Sequence, residues 1–215
     1  MSARILFVTG TDTGVGKTVV SAHLGAEAAR EGQRVAYLKP VQTGIEPHDE
    51  RCDAGFVSAA AGIRARELER FRAPLAPAVA AALEGKKIDL EDLATRTRAE
   101  ANDVDLLLVE GAGGLLVPLT ETHTMADFAA ELGADLVVVT RPGLGTLNHT
   151  ALTLEAAARR GLHVTRLLVS GWPRTPGPTE TTNLERLQAH GVPIGLIAHH
   201  EGLVVDLLQL GSFHV

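Results

Sequence analysis

The sequence contains short, continuous runs of apolar residues that are separated by segments favouring helix. Within each run the apolar residues do not alternate with polar ones, so the runs fit strands that are buried on both faces. Such strands are typical of a parallel sheet, in which helices cover both faces. The predicted strands are Arg4–Val8, Arg34–Leu38, Asp105–Val109, Asp135–Val139 and Arg166–Val169, with a weaker run at Pro193–Ile197.

Helix-forming segments lie between these runs. Thr18–Glu31 is rich in alanine, with apolar residues near helical spacing. Leu147–Arg160 ends in arginines, which suit the negative end of the helix dipole, and Gly161 follows as a stop. A further helix is predicted at Glu180–His190, whereas Gly44–Ala101 is less regular, with helical composition and interrupting prolines. The alternation of strands and helices predicts a doubly wound α/β fold.

The composition is that of a globular protein. The chain has 215 residues, of which 45% are hydrophobic, and we expect residues 1–215 to form a single domain. The net charge of −6, without a long basic block, argues against a nucleic-acid partner. The single cysteine, Cys52, excludes an internal disulfide and fits a reducing compartment. The first apolar run is too short for a signal peptide or a membrane span, so we expect a cytoplasmic protein that does not act at a membrane.

A glycine-rich loop separates the first predicted strand from the first predicted helix. Residues 9–18 read TGTDTGVGKT. The glycines allow backbone amides to crowd around phosphate oxygens at the start of a helix. Lys17 can reach the outer phosphates, and the Thr18 hydroxyl is placed to bind Mg²⁺. The sequence therefore predicts a nucleotide site and a P-loop NTPase-like fold, with a mostly parallel sheet flanked by helices.

The loop departs from the common phosphate-loop pattern by one position. The pattern G-x-x-x-x-G-K-[ST] would place a glycine at position 11, where this chain has Thr11 and the glycine comes early, at Gly10. Partition and cell-division ATPases of the same superfamily carry a loop lysine that reaches the partner's phosphates. Alignment puts Asp12 or Thr13 at that position. Because a carboxylate would repel phosphate, Asp12 argues against that class of ATPase.

Charged residues follow two of the other predicted strands. Lys39 opens the segment KPVQTG, at a strand end where open α/β sheets place their ligands, although an ordinary surface lysine would also fit. Glu110, in VEGAGGLLVPL, ends another strand, where P-loop enzymes commonly place an acidic residue that helps to hold Mg²⁺. Asp53 lies in an acidic stretch that could simply be solvated. Two lysines beside one phosphate loop could hold two anionic groups together, as phosphoryl transfer requires.

The segments GTDTGVGKT, KPVQTG, VEGAGGLLVPL and GTLNHT occur in this order, and together they resemble the dethiobiotin synthetase family. The resemblance runs from residue 4 to about residue 172. It implies a homodimeric ligase of biotin biosynthesis that uses ATP, Mg²⁺, CO₂ and 7,8-diaminononanoate. In the family's mechanism, one amine captures CO₂ as a carbamate and the carbamate attacks the γ-phosphorus. The second amine then attacks the carbonyl of the resulting anhydride and closes the ureido ring.

The resemblance also implies roles for individual residues. The expected catalytic residues are Lys39, Lys17 and Thr13, and the expected Mg²⁺ ligands are Thr18, Asp53 and Glu110. The expected nucleotide contacts are Asp12, Thr13, Gly14, Val15, Gly16, Lys17, Thr18, Asp53, Glu110, Gly113, Gly171, Ile197, Ala198 and His199. The expected diamine contacts are Lys39 and Thr43 and, for the carboxylate of the diamine bound in the other subunit, Gly145, Thr146, Leu147 and Asn148.

Two of these assignments, the carboxylate site at GTLNHT and the recognition of the nucleotide base, have alternatives. A helix N-terminus suits an anion, but N-capping by Thr146 or Asn148 would also explain the segment GTLNHT. Some family members carry an asparagine that reads the adenine ring, whereas this chain offers Thr175 and Pro176 near that position. A broad preference among nucleotide bases is therefore an open expectation.

Two other functions are alternatives to the ligase. An amidoligase such as a cobyrinate a,c-diamide synthase normally needs a glutaminase domain with a nucleophilic cysteine, and Cys52 lies in the wrong region for that role. A nucleotide-switch ATPase that acts through partners or a membrane should carry a lysine near position 12 and often an amphipathic terminal helix. Neither feature is evident in the sequence.

Overall fold

The computed structural model describes residues 3–46, 49 and 51–198, and the backbone of residues 207 and 208. Strands and helices alternate through most of this length. The strands are β1 (Arg4–Gly10), β2 (Val35–Thr43), β3 (Arg64–Phe71), β4 (Leu106–Gly114), β5 (Asp135–Thr140), β6 (Val164–Trp172), β7 (Ile194–Ala198) and β8 (Leu207–Leu208). The helices are α1 (Lys17–Arg30), α2 (Asp53–Ala61), α3 (Pro77–Leu83), α4 (Leu90–Ala99), α5 (Met125–Glu131), α6 (Thr146–Ala158) and α7 (Pro178–Gln188).

The strands form one sheet in the order β3-β2-β4-β1-β5-β6-β7-β8. Strands β1 to β7 pair in parallel, and only the short β8 runs antiparallel to its neighbour. The chain runs outward from β1 through β2 to β3, returns to the centre at β4, and then continues in the other direction. Because crossovers between parallel strands are right-handed, this reversal places helices on both faces of the sheet.

The buried clusters show which helices cover each face. Val20 and Leu24 of α1 and Val57 of α2 pack on one face. Leu93 of α4 and Phe128 of α5 pack on the other. Strands β1 and β4 are neighbours, but the helices that follow them lie on opposite faces. A crevice therefore opens at their carboxyl ends, the position at which doubly wound sheets bind ligands.

The predicted α/β fold with a mostly parallel sheet is confirmed, and every predicted strand corresponds to an observed one. Several strands are longer than their apolar runs. Strand β2 continues to Thr43, so Lys39 lies inside it, and β4 continues through Glu110 to Gly114. Among the described residues, no helix is long and apolar enough to cross a membrane.

The largest difference lies in Gly44–Ala101, where the sequence predicts helix and irregular structure. Helices α2, α3 and α4 are present there, but strand β3 lies between the first two. Its sequence, RARELERF, is rich in charge, and most of its residues are only partly buried. Because β3 pairs with β2 alone, at the edge of the described sheet, it lacks the apolar run by which the central strands are recognised.

Replacing Leu107 by alanine tests the position of β4 in the core. The Leu107 side chain is completely buried in a central strand. We expect Leu107→Ala to lower the free energy of unfolding by about 2–5 kcal/mol, because the change removes apolar contacts and leaves a cavity. Urea denaturation followed by circular dichroism measures this loss. The matched control is Leu83→Ala, at a side chain that is 68% exposed, which should change the free energy by less than about 0.5 kcal/mol. Equal effects of the two variants would contradict this placement.

Candidate active site

A cleft of about 720 Å³ opens at the carboxyl ends of β1, β2 and β4. The glycine-rich loop, the start of α1 and the segment 74–77, which leads into α3, complete its walls. Its position is the crevice that the reversal of strand order creates. Four charged side chains from four different elements line it, namely Lys17, Lys39, Asp53 and Glu110.

The glycine-rich loop is held in a conformation that requires glycine. Gly14 and Gly16 have φ values of 72° and 97°, in the left-handed region that side chains disfavour. A Cβ atom on Gly16 would lie 2.3 Å from Oγ of Ser170, so the loop backbone packs directly against the end of β6. The Thr11 amide donates to the carbonyl oxygen of Val139 at 2.9 Å, which ties the loop to β5 as well.

Lys17 lies at the base of this loop, as the first residue of α1. Its ammonium donates to the carbonyl oxygen of Asp12 at 3.1 Å and is almost completely buried. Burial, reinforced by the positive charge of Lys39, lowers the pKa of Lys17 to about 8. Since two cations face one cleft, an anionic ligand would stabilise their charges. Val15 anchors the same loop in the core.

Lys39 is paired with two carboxylates. Its Nζ lies 2.7 Å from Oδ2 of Asp53 and 2.8 Å from Oε1 of Glu110. The Lys39 side chain is only 6% exposed and that of Glu110 only 1%. Burial alone would lower the pKa of Lys39, but the carboxylates of Glu110 and Asp53 outweigh it and raise that pKa above its usual value. Lys39 therefore carries its positive charge throughout the neutral range.

Glu110 also accepts two hydrogen bonds from α1. The Thr18 hydroxyl donates to Oε1 at 3.0 Å, and the Ser21 hydroxyl donates to Oε2 at 2.8 Å. The three residues expected to bind Mg²⁺, which are Thr18, Asp53 and Glu110, thus present two carboxylates and a hydroxyl to one cleft. Mg²⁺ commonly takes one or two carboxylates and completes its shell with water and substrate phosphates. This donor set fits that ion, although the described residues contain no cluster of three or more His, Cys, Asp or Glu side chains.

Three further residues with expected nucleotide or diamine contacts also line this cleft, namely Thr13, Thr43 and Gly113. Gly113 has a φ of 65°, and a Cβ atom there would lie 3.4 Å from Oγ1 of Thr13.

Asp12 turns away from the cleft, because its Oδ2 atom accepts from Arg141 at 2.7 Å and its Oδ1 atom accepts from the Thr13 amide. The Thr13 amide and the Arg141 guanidinium lower the pKa of Asp12.

Two groups of expected contact residues lie outside the lining of this cleft. Residues 145–148, at the start of α6, are one group, and Gly145 there has a φ of 89°. The other group, expected around the nucleotide base, lies at the ends of β6 and β7. It includes Gly171, with a φ of 78°, together with Ile197 and Ala198. His199 falls outside the described residues.

The structure brings in residues that the sequence did not single out. Ser21 follows Thr18 by one helical turn, and this i to i+3 spacing on one helix face is the signal that could have revealed it. Arg141, which pairs with Asp12, has no such signal, because its position depends on how β5 lies beside the glycine-rich loop.

Solved structures share this fold at low sequence identity. The signal recognition particle receptor FtsY of Elizabethkingia anophelis matches with a TM-score of 0.55 at 16% identity, over 92% of this chain and 59% of the receptor chain. The cell division protein FtsY of Thermotoga maritima matches with a TM-score of 0.56 at 14% identity, over 96% and 65%. This chain spans less than two thirds of either structure, and at these identities the likeness concerns the fold alone.

Sequence relatives are much closer to the chain. A family model described as an AAA domain matches residues 4–204. The ATP-dependent dethiobiotin synthetase BioD of Mycobacterium avium is 49% identical over 86% of this chain and 82% of its own length. BioD proteins of two Anaeromyxobacter strains, Fw109-5 and K, are 48% and 44% identical, over 84% and 97% of this chain. The chain belongs to the ATP-dependent dethiobiotin synthetase family.

Proposed function

We propose that this protein closes the ureido ring of dethiobiotin from 7,8-diaminononanoate and CO₂, at the expense of ATP and with Mg²⁺. The observation that carries the proposal is the meeting of Lys17 and Lys39 with Asp53 and Glu110 in one cleft. The reaction must hold a carbamate against a triphosphate, and both are anions. Two buried lysines, together with Mg²⁺ bound by the two carboxylates, would supply the electrostatic complement for that encounter.

The glycine-rich loop would bind the triphosphate through its backbone amides and the N-terminus of α1. Lys17 would leave the carbonyl oxygen of Asp12 and pair with the outer phosphates. Thr18, Asp53 and Glu110 would hold Mg²⁺, which when bound adds positive charge beside the transferring phosphoryl group. Ser21, through its bond to Oε2, fixes the orientation of the Glu110 carboxylate.

Lys39 would receive the carbamate, which forms when one amine adds to CO₂ and loses a proton. A carbamate oxygen attacks the γ-phosphorus, ADP leaves, and a carbamic-phosphoric anhydride results. The second amine then attacks the carbonyl carbon, loses a proton, expels inorganic phosphate and closes the ring. Thr13 and Thr43, at the rim of the cleft, would hydrogen-bond the reacting groups. Ring closure is intramolecular, so holding both amines in place supplies a large share of the acceleration.

A second cleft, of about 410 Å³, adjoins the first and shares Thr13 and Val117 with it. Leu115, Leu116 and Leu152 line it, and it suits the aliphatic chain of the diamine. Leu116 is 49% exposed, as expected if another surface covers this region.

A homodimer fits this arrangement. Residues 145–148 lie outside the cleft that contains Lys39, which is consistent with their serving the diamine of the other subunit. The start of α6 offers amides and a favourable dipole to the diamine's carboxylate. Gly171, Ile197 and Ala198 would border the nucleotide base at the ends of β6 and β7. Because Thr175 and Pro176 lie near the position where some family members carry an adenine-reading asparagine, we expect a broad base preference.

The proposed reaction is tested directly with purified protein, MgATP and bicarbonate, in the presence and absence of 7,8-diaminononanoate. We expect phosphate release that depends on the diamine, together with a product of the mass of dethiobiotin. Phosphate release is followed by a coupled colorimetric assay and the product by mass spectrometry. Release at the same rate without the diamine, or no product, would rule out the ligase in favour of another ATPase.

Lys39→Ala tests the role of the second lysine. We expect turnover to fall by about 100-fold or more, because the change removes charge stabilisation at the transferring group. The dissociation constant of ATP should stay within about threefold, since the loop contacts are retained. Steady-state kinetics and nucleotide titration give both quantities, and thermal unfolding checks the fold. Lys87→Ala, at an exposed lysine outside both clefts, is the control. Near-normal turnover of Lys39→Ala would disprove the assignment.

Glu110→Gln tests the metal site by a binding measurement. The amide keeps the shape of the side chain but loses the negative charge that Mg²⁺ requires. We expect the Mg²⁺ concentration that half-maximally strengthens ATP binding to rise by about tenfold or more. Titrating Mg²⁺ at fixed nucleotide in a fluorescence binding assay measures it. The exposed Glu121→Gln variant should match the parent protein. An unchanged Mg²⁺ dependence of Glu110→Gln would remove Glu110 from the metal site.

A further inference from the structure

Four threonine hydroxyls meet between the glycine-rich loop and the start of α6. The Thr140 hydroxyl, at the end of β5, lies 2.7 Å from Oγ1 of Thr146 and accepts from Thr150 at 3.0 Å. The Thr11 hydroxyl, in the glycine-rich loop, donates to Oγ1 of Thr140 at 3.3 Å. Thr140, Thr146 and Thr150 are almost completely buried. We call these four residues the threonine cluster.

Counting donors and acceptors gives the direction of the bond between Thr140 and Thr146. A hydroxyl group donates one hydrogen bond and accepts two. Thr140 accepts from Thr11 and Thr150, so its own proton is donated to Thr146. The Thr140 hydroxyl then makes all three of the hydrogen bonds it can form, one with the loop and two with α6. Removing it would leave buried hydroxyls of α6 without a partner, which is costly in the protein interior.

Other contacts hold the turn between β5 and α6, one of them from the glycine-rich loop and the others from α7. Arg141, next to Thr140, pairs with Asp12 of the loop at 2.7 Å. The buried Asn183 side chain of α7 donates to the carbonyl oxygens of Pro142 and Gly143, at 2.9 and 3.2 Å. The turn is thus anchored to α7, and the threonine cluster is a direct hydrogen-bonded link between the glycine-rich loop and α6.

We propose that Thr140 is a positioning residue that couples the glycine-rich loop to the start of α6, so that nucleotide bound at the loop strengthens carboxylate binding at α6. The proposal rests on the proposed function, in which residues 145–148 receive the carboxylate of the diamine. Because that diamine is bound in the other subunit, the coupling would run from the nucleotide site of one subunit to the diamine site of its partner. Linkage is reciprocal, so the diamine strengthens nucleotide binding by the same factor.

The coupling is measured by calorimetric titration of 7,8-diaminononanoate into the full chain. One titration uses the protein alone, and the other uses protein saturated with β,γ-methylene ATP and Mg²⁺. The ratio of the two dissociation constants is the coupling factor. We expect about fivefold or more in the parent protein, within the usual range for linked sites. Reversing the order of the ligands should return the same factor.

Two variants of Thr140 separate hydrogen bonding from packing. Thr140→Val keeps the volume and loses the hydroxyl, and its coupling factor should fall well below that of the parent protein, with only the Arg141–Asp12 pair left to tie the loop to the turn before α6. Thr140→Ser loses a methyl group and keeps the hydroxyl, and its factor should stay near that of the parent protein. Thr97→Val is the matched control, since Thr97 is also fully buried but lies in α4. If Thr140→Val does not fold, Thr11→Val removes the loop side of the same cluster.

A Thr140→Val factor equal to the parent's would overturn the proposal, and so would equal losses in Thr140→Val and Thr140→Ser. A parent protein whose diamine affinity does not respond to nucleotide would overturn it too. Failure of the proposed function looks different, because the parent protein would then bind no diamine in either titration.

Discussion

The charge balance around Lys39 is the interaction on which the rest of the site depends. A buried ammonium is stable only where opposite charges and hydrogen bonds offset the loss of water, and Asp53 and Glu110 provide them at 2.7 and 2.8 Å. The Thr18 hydroxyl of α1 donates to the Glu110 carboxylate and so joins this cluster. These four residues come from β2, α2, β4 and α1, so one electrostatic cluster fixes how four elements meet.

The sheet topology explains why this cluster forms where it does. Strand order reverses between β1 and β4, so their following helices separate and leave the ends of both strands open. The glycine-rich loop fills part of that opening and is pressed against Ser170 on one side and tied to Val139 on the other. The backbone amides of the loop, two lysines and two carboxylates therefore meet at one edge of the sheet.

Much of this could be predicted from sequence, where the signal is local. The loop, Lys39 and Glu110 stand at the ends of apolar runs or in contiguous motifs, so their places follow from strand order. Asp53 could not be placed in the same way, because it lies in a region whose pattern indicates no strand and its contact with Lys39 is tertiary. The separation of residues 145–148 from the Lys39 cleft, and the pairing of Asp12 with Arg141, also depend on how distant elements pack.

Strand β3 is the clearest case in which a prediction failed for a physical reason. Its Arg and Glu residues hid it from any search for apolar runs, yet the same residues protect the protein. A strand at the rim of a sheet exposes unpaired amides and carbonyls, and another chain can add to them and start aggregation. Charged side chains along an edge strand are one means by which proteins disfavour such pairing, and β3 carries five of them in eight residues. The feature that makes β3 look least like a strand is therefore one that suits a strand at the border of the described sheet.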